Sequence, residues 1–193
     1  MKGFIAFFIA AIMLCSAPGM RSTALAEPQN TKENQQDQRT TMLMADEIRH
    51  QLVTLPYYGV FDWLEGEILP DRSVVLGGQV VRPTTKSDAE RRVKSIEGVT
   101  KVVNNIELLP LSTNDDEIRR ATYRAIYKFD SPLFQYAIRA VPPIHIIVKN
   151  GHVTLKGVVL NQMDKQLAET AVRGVANTFD IRNELTIEKK ESN

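Results

Sequence analysis

Hydrophobic and polar positions alternate most sharply over residues 144–157, IHIIVKNGHVTLKG. Asn150-Gly151 sits between two alternating runs, the strongest short-range signal for a β-hairpin with a two-residue loop. Such a loop sets the register. Val148 faces Val153, Ile146 faces Leu155 and Ile144 faces Gly157 on one side of the sheet. Lys149–His152, Ile147–Thr154 and His145–Lys156 share the other side, which is expected to be partly solvated.

The pattern predicts further elements on either side of this hairpin. Met44, Ile48, Leu52 and Leu55 recur at helical spacing over 41–55, and Pro56 stops the helix. Residues 60–69 and 73–81 read as strands around a Pro70-Asp71 turn. Pro83 and Thr84 open a helix through Ala89, Val93 and Ile96, closed by Gly98. A third strand, 102–109, places Val102, Asn104, Ile106 and Leu108 on one side. After a linker at 110–114 the order returns. Acids at 115–117 begin a helix to about 129, since negative charge suits a helix N-terminus. Ser131-Pro132 starts a short helix, 132–141, ended by Pro142-Pro143. The hairpin, a helix at 162–175 and a strand at 180–188 complete the chain.

The two halves align residue by residue. Val74, Leu76, Gly78, Val80, Lys86, Ala89, Glu90, Val93 and Asn104 recur as Val153, Leu155, Gly157, Val159, Lys165, Ala168, Glu169, Val172 and Asn183, a shift of 79. At the front, Glu47-Ile48-Arg49 matches Glu117-Ile118-Arg119 at a shift of 70, so the second half carries nine extra residues, which the 132–141 helix accounts for. The expected fold class is α+β: two tandem helix–strand–strand–helix–strand domains, 41–110 and 115–190. Each is a three-stranded mixed sheet with two helices covering one face.

Composition narrows the function. Lys2 precedes an apolar run at 4–14, and Ala24-Leu25-Ala26 offers a signal-peptidase site, so residues 1–26 read as a cleaved secretory signal. The run is too short to span a membrane. Cys15 could instead carry a lipid, but Leu14 stands where such sites need a small residue, and simple secretion ranks first. Residues 27–40 are almost devoid of apolar side chains and read as a disordered tether. The whole chain has 24 basic and 23 acidic residues. Cleavage removes Lys2 and Arg21 and no acid, leaving a net charge near −1, no transmembrane segment and no cysteine. Thiol catalysis, disulfides and zinc–thiolate sites are thereby excluded, and nucleic acid is not an expected partner.

The motif Gly151-His152-Val153-Thr154-Leu155-Lys156-Gly157, followed by a helix, and the Val102-Val103-Asn104-Asn105-Ile106 segment of the other copy resemble the BON domain (bacterial OsmY and nodulation). The resemblance covers residues 41–190. The first copy departs from the pattern at Pro70-Asp71-Arg72, the second at Asn177-Thr178-Phe179-Asp180. Membership implies a non-enzymatic periplasmic module of the cell envelope, described as transport-associated and linked to osmotic stress, with phospholipid binding in some members. It implies no cofactor.

Candidate sites each have a functional and a structural reading. His50, His145 and His152 are the only imidazoles. His145 and His152 share the hairpin's expected wet face without a third ligand, so no metal site is expected. Glu65 and Glu67, about 7 Å apart on one strand face, could suit an inverting glycosidase pair; a solvated strand explains them equally. Asn104 and Asn183 are expected to satisfy backbone groups at strand ends. Gly78 and Gly157 are expected to let a helix approach the sheet.

The helix after Asp116 has an expected core stripe of Ile118, Thr122, Ala125, Ile126 and Phe129. Another face gathers Arg120, Tyr123, Arg124, Tyr127 and Lys128, beside Phe134, Tyr136, Ile138 and Arg139 of the inserted helix. Interleaved aromatic and basic side chains suit an anionic phospholipid surface or an envelope protein partner. The structural reading is that the tyrosines pack between units and the cations complement the helix dipole. Phe61 and Trp63 have the opposite phase from Leu64 and Ile68. That puts them on an open sheet face, where they would bind a protein or glycan, or between the units.

Overall fold

The computed structural model describes residues 29–188; the 1–26 segment and Cys15 lie outside them. The first unit comprises α1 (Gln29–Val53), β1 (Trp63–Ile68), β2 (Val74–Val80), α2 (Pro83–Lys94), β3 (Val102–Asn104) and β4 (Glu107–Leu108). The second comprises α3 (Thr113–Ile126), a 3-10 helix (Pro132–Ile138), β5 (Ile144–Lys149), β6 (His152–Val159), α4 (Gln162–Arg173), β7 (Asp180–Asn183) and β8 (Thr186–Ile187). In both, a hairpin pairs antiparallel and its second strand pairs parallel with the last, giving the mixed α+β sheet read from the pattern.

The last strand of each unit is broken at one place, where a single continuous strand was expected, and the repeated asparagine is the reason. Asn104 Oδ1 accepts from Ile106 N–H, two residues on, while its Nδ2 donates to Lys86 O and to the Glu90 carboxylate in α2. Asn183 does the same with Leu185 N–H, Lys165 O and Glu169 in α4. The side chain thus turns the strand and ties it to the helix above. Ile106 and Leu185, just past the turn, are then driven into the two cores.

Val74, Leu76 and Val80 of β2 are fully buried under Ile48, Leu52, Ala89 and Val93; Val153, Leu155 and Val159 of β6 lie under Ile118, Ile126, Ala168 and Val172. Each such side chain contributes about 1.5–3 kcal/mol on burial. The β5–β6 register is the one the Asn-Gly loop dictates at every pair. Asn150 and Gly151 both take positive φ, 51° and 77°, as a type I′ turn requires. Asp115, in the first turn of α3, accepts from both of their N–H groups at 2.8 Å.

Several expectations are corrected. Gly78 and Gly157 (φ 106° and 118°) make room for the neighbouring strand rather than a helix. A Cβ there would lie 2.0 Å from the Trp63 carbonyl oxygen and 1.9 Å from that of Pro143, respectively. Residues 29–40, expected to be a tether, belong to α1: they contain no Gly or Pro, and the helix anchored by Met44, Ile48 and Leu52 propagates through them. α3 ends at Ile126, so Phe129 never completes the core stripe and is 86% exposed. The inserted helix is a 3-10 helix ending at Ile138.

The two units touch. Residues 58–63, which lead into β1, run along the outer edge of β5, where Val60 O accepts from Ile146 N–H at 2.8 Å. Val60 and Phe61 pack against the second core, with Phe61 edge-on to Tyr123. His145 is buried between the rings of Tyr58 and Trp63, 5.4 and 5.2 Å away, and so is not on a wet face. Across the same contact, Lys156 pairs with Glu65 at 3.0 Å and Lys149 with Glu107.

Candidate functional site

The residues singled out on α3 and the inserted helix separate into buried and exposed sets. Tyr127 turns inward and donates to Ile144 O at 2.8 Å. Burial pushes its phenol well above the usual range. Tyr136 is also buried: its hydroxyl donates to Asp164 and accepts from Leu160 N–H at 2.9 Å, which joins the 3-10 helix to the N-terminus of α4. Burial first, then the Asp164 carboxylate, push its pKa up to about 12. Both tyrosines are therefore structural, and neither lies on the face expected of it.

What stays outside is a set of apolar and basic side chains. Phe129 is 86% exposed and meets the half-buried Phe134 edge-on, 5.2 Å between ring centres. Ile138, 78% exposed, ends the same 3-10 helix. Arg120, Arg124, Lys128 and Arg139 are all exposed, Arg120 and Arg124 along a shallow groove they line with Ala176 and Asn177. Only Lys128 makes an ion pair among the described residues, with Asp130 at 3.3 Å. Tyr123 is at the border, held between Phe61 and Tyr127. Sequence reasoning missed Phe129, because the helix was extended one turn too far; Asp130-Ser131-Pro132 directly after it was the available stop signal.

The buried cation of α3 has another role. Arg119, 3% exposed, donates to Val148 O and pairs with Asp116, tying α3 to the hairpin strand β5. Its counterpart Arg49 is exposed and paired only with Asp46.

Other candidates are accounted for within the fold. Phe61 and Trp63 lie at the contact between units, half-buried, instead of on an open sheet face. Glu65 is engaged by Lys156 and by the Trp63 indole N–H. Its burial raises the carboxyl pKa, but the Lys156 and Trp63 hydrogen bonds outweigh this and hold it below the ordinary value. Such a carboxylate is a fixed anion, unsuited to donating a proton. His152 is exposed beside Asp180, and no group of three or more His, Cys, Asp or Glu side chains among the described residues could hold a metal ion. Among the same residues no helix is long and apolar enough to cross a membrane.

Comparison with known proteins adds the following. Two solved structures share a slight likeness with the chain: CdsD, a structural protein of the type III secretion system of Chlamydia trachomatis, and the C-terminal domain of the same protein. They are 13% and 12% identical, with 75% of this chain and 92% and 96% of theirs covered. Their TM-scores of 0.27 and 0.26 are too low to carry an argument. Among curated protein sequences, none matches. The family model described as "BON domain", by contrast, matches residues 67–110 and 115–189, one stretch in each unit. With the second hairpin, both broken strands and both asparagine clamps inside those stretches, the chain belongs to the BON domain family, in two tandem copies.

Proposed function

We propose that this chain is a non-catalytic protein of the periplasmic cell envelope that docks on anionic phospholipid through its second unit. The observation that carries the reading is the exposure of Phe129 and Ile138, with the half-buried Phe134, in the same 120–139 stretch as four exposed cations, Arg120, Arg124, Lys128 and Arg139. Exposed apolar side chains together with cations, all but Lys128 without an ion-pair partner among the described residues, match a headgroup region, where rings enter the interface and each cation contributes about 1 kcal/mol. A water-facing role alone does not account for an exposed phenylalanine edge-on to a second ring, with an exposed isoleucine at the end of that ring's short helix. The BON membership and the secretory signal read at 1–26 support an envelope setting, and the engaged state of Glu65 supports a binding role over a hydrolytic one.

Flotation with vesicles tests it. Binding is expected to vesicles containing phosphatidylglycerol and not to neutral ones, and to weaken with salt. Arg120→Glu with Arg124→Glu should lower binding at least about 30-fold, the loss of two cations at about 1 kcal/mol each. The thermal midpoint should not move, because both side chains are exposed. Equal binding to anionic and neutral vesicles, or none to either, refutes the proposal.

A further inference from the structure

The contact between the two units is made once, and each of its halves has a counterpart unused among the described residues. In the second unit, the groove between α3 and the outer edge of β5 is occupied by residues 58–61 of the first unit. The equivalent groove of the first unit, between α1 and the outer edge of β1, is open. It forms a cavity of about 370 Å³ lined by Ile48, Leu52, Val53, Leu64, Gly66 and Ile68 among others. Structural equivalence follows from the glycine contacts: Gly78 meets the Trp63 carbonyl as Gly157 meets that of Pro143. Trp63 therefore matches Pro143, Gly66 matches Ile146, and 58–61 match 138–141.

The hydrogen-bonding geometry of the edge is also equivalent. Leu76 O accepts from Asn105 N–H on the far side, as Leu155 O accepts from Glu184 N–H. Leu76 and Leu155 therefore direct their backbone groups away from the first strand of each hairpin. Their register partners Gly66 and Ile146 must then direct theirs outward. Ile146 N–H is used by Val60 O; the corresponding donor on Gly66 faces the open groove. The counterpart of the docking segment, 138–141, is free too: Ile138 is 78% exposed, and Arg139 and Ala140 are exposed with it.

We infer that a second copy of this chain docks its 138–141 segment into the α1–β1 groove of the first, continuing between molecules the contact that joins the units within one. Ala140 O would accept from Gly66 N–H, and Val141 would take the place beside Val53 that Phe61 takes beside Tyr123. Donor and acceptor are different surfaces, so the contact is head-to-tail and extends to chains of copies unless the rotation closes a ring. This inference goes beyond the lipid reading and does not rest on it, although Ile138 and Arg139 belong to both surfaces and a docked copy would cover them.

Sedimentation velocity of the purified protein without lipid, from about 1 µM to about 1 mM, reads the association. A rise in sedimentation coefficient with concentration is expected. Gly66→Pro removes the outward N–H at an edge position where the sheet does not use it. Ile138→Glu places a carboxylate against Glu65, the counterpart of His145, from an exposed site that does not disturb folding. Each variant alone should remain monomeric, while an equimolar mixture should form dimers and nothing larger, since each retains one intact end. A monomeric natural sequence, variants that still associate, or a mixture that stays monomeric each overturns the inference. Gly66→Pro should leave vesicle flotation unchanged, which keeps the two proposals separable.

Discussion

Gly157→Ala is the most demanding test of the fold, because its cost can be worked from the geometry. The new Cβ would start 1.9 Å from the Pro143 oxygen, and contacts under 3.0 Å are essentially never seen, so β5 and β6 must separate locally by about 1.1 Å. Holding a non-glycine residue at φ 118° costs about 1–3 kcal/mol. Moving Pro143 O away also weakens its hydrogen bond from Val158 N–H, now 3.2 Å long, for about 1 kcal/mol more. The expected loss is about 2–4 kcal/mol. At a urea slope of about 2 kcal/mol/M, this lowers the unfolding midpoint by about 1–2 M. Circular dichroism follows the second unit, and Trp63, the only tryptophan, reports from the contact between units. Gly78→Ala should behave alike. The neighbouring Gly77→Ala is the control: nothing lies within 4 Å of its Cβ position, so its effect should stay within about 0.5 kcal/mol. A loss below about 1 kcal/mol for Gly157→Ala, or equal effects at 77 and 78, would show that the strand contact does not impose the glycine.

Two further outcomes are expected. Asn104→Ala and Asn183→Ala each delete three hydrogen bonds. Each should cost about 2–3 kcal/mol by calorimetry, and the costs should add in the double variant because the sites lie in separate units; a cost under about 0.5 kcal/mol denies the clamp. Burial depresses the pKa of His145, so on acidification the unfolded chain takes up its proton first, near the ordinary value of about 6.5. The stability this residue contributes is complete above that pH and declines as pH falls through the lower, folded value. Asp62, whose carboxyl burial raises, acts in the opposite sense at more acid pH. His145→Leu should flatten the decline in unfolding free energy as pH falls below about 6.5; an unaltered slope means that another group is responsible.

Local chemistry made the hairpin legible down to single pairs, because Asn-Gly admits one register and the alternation admits one inward face. The repeat was legible for a similar reason: the residues that recur are those on which strand pairing, close strand approach and clamp depend. His145 was not. Alternation tells which side of a hairpin it occupies, whereas its burial depends on residues 58–63, which arrive from the other unit. Phe129 was misplaced because periodicity continues past Ile126 on paper, while Tyr127 already closes that end of the core through Ile144 O. The glycines were recognised as structural, but their partner was not, since a positive φ leaves no trace in hydrophobic pattern. On the candidate surface the four cations lie outside, but two of the tyrosines do not, each having found a buried acceptor for its hydroxyl.

The strap at residues 58–63 has a mechanical consequence. The units are joined covalently through the exposed Pro110-Leu111 stretch and a second time where Val60 and Phe61 grip β5. Two attachments at separate points remove the free swivel that a single linker allows. Turning one unit against the other would have to break the Val60–Ile146 bond and draw Phe61 out of contact with the second core. A force applied to the second unit is therefore carried into β1 along a sheet edge, and the pair responds as one stiff bar instead of two beads on a string.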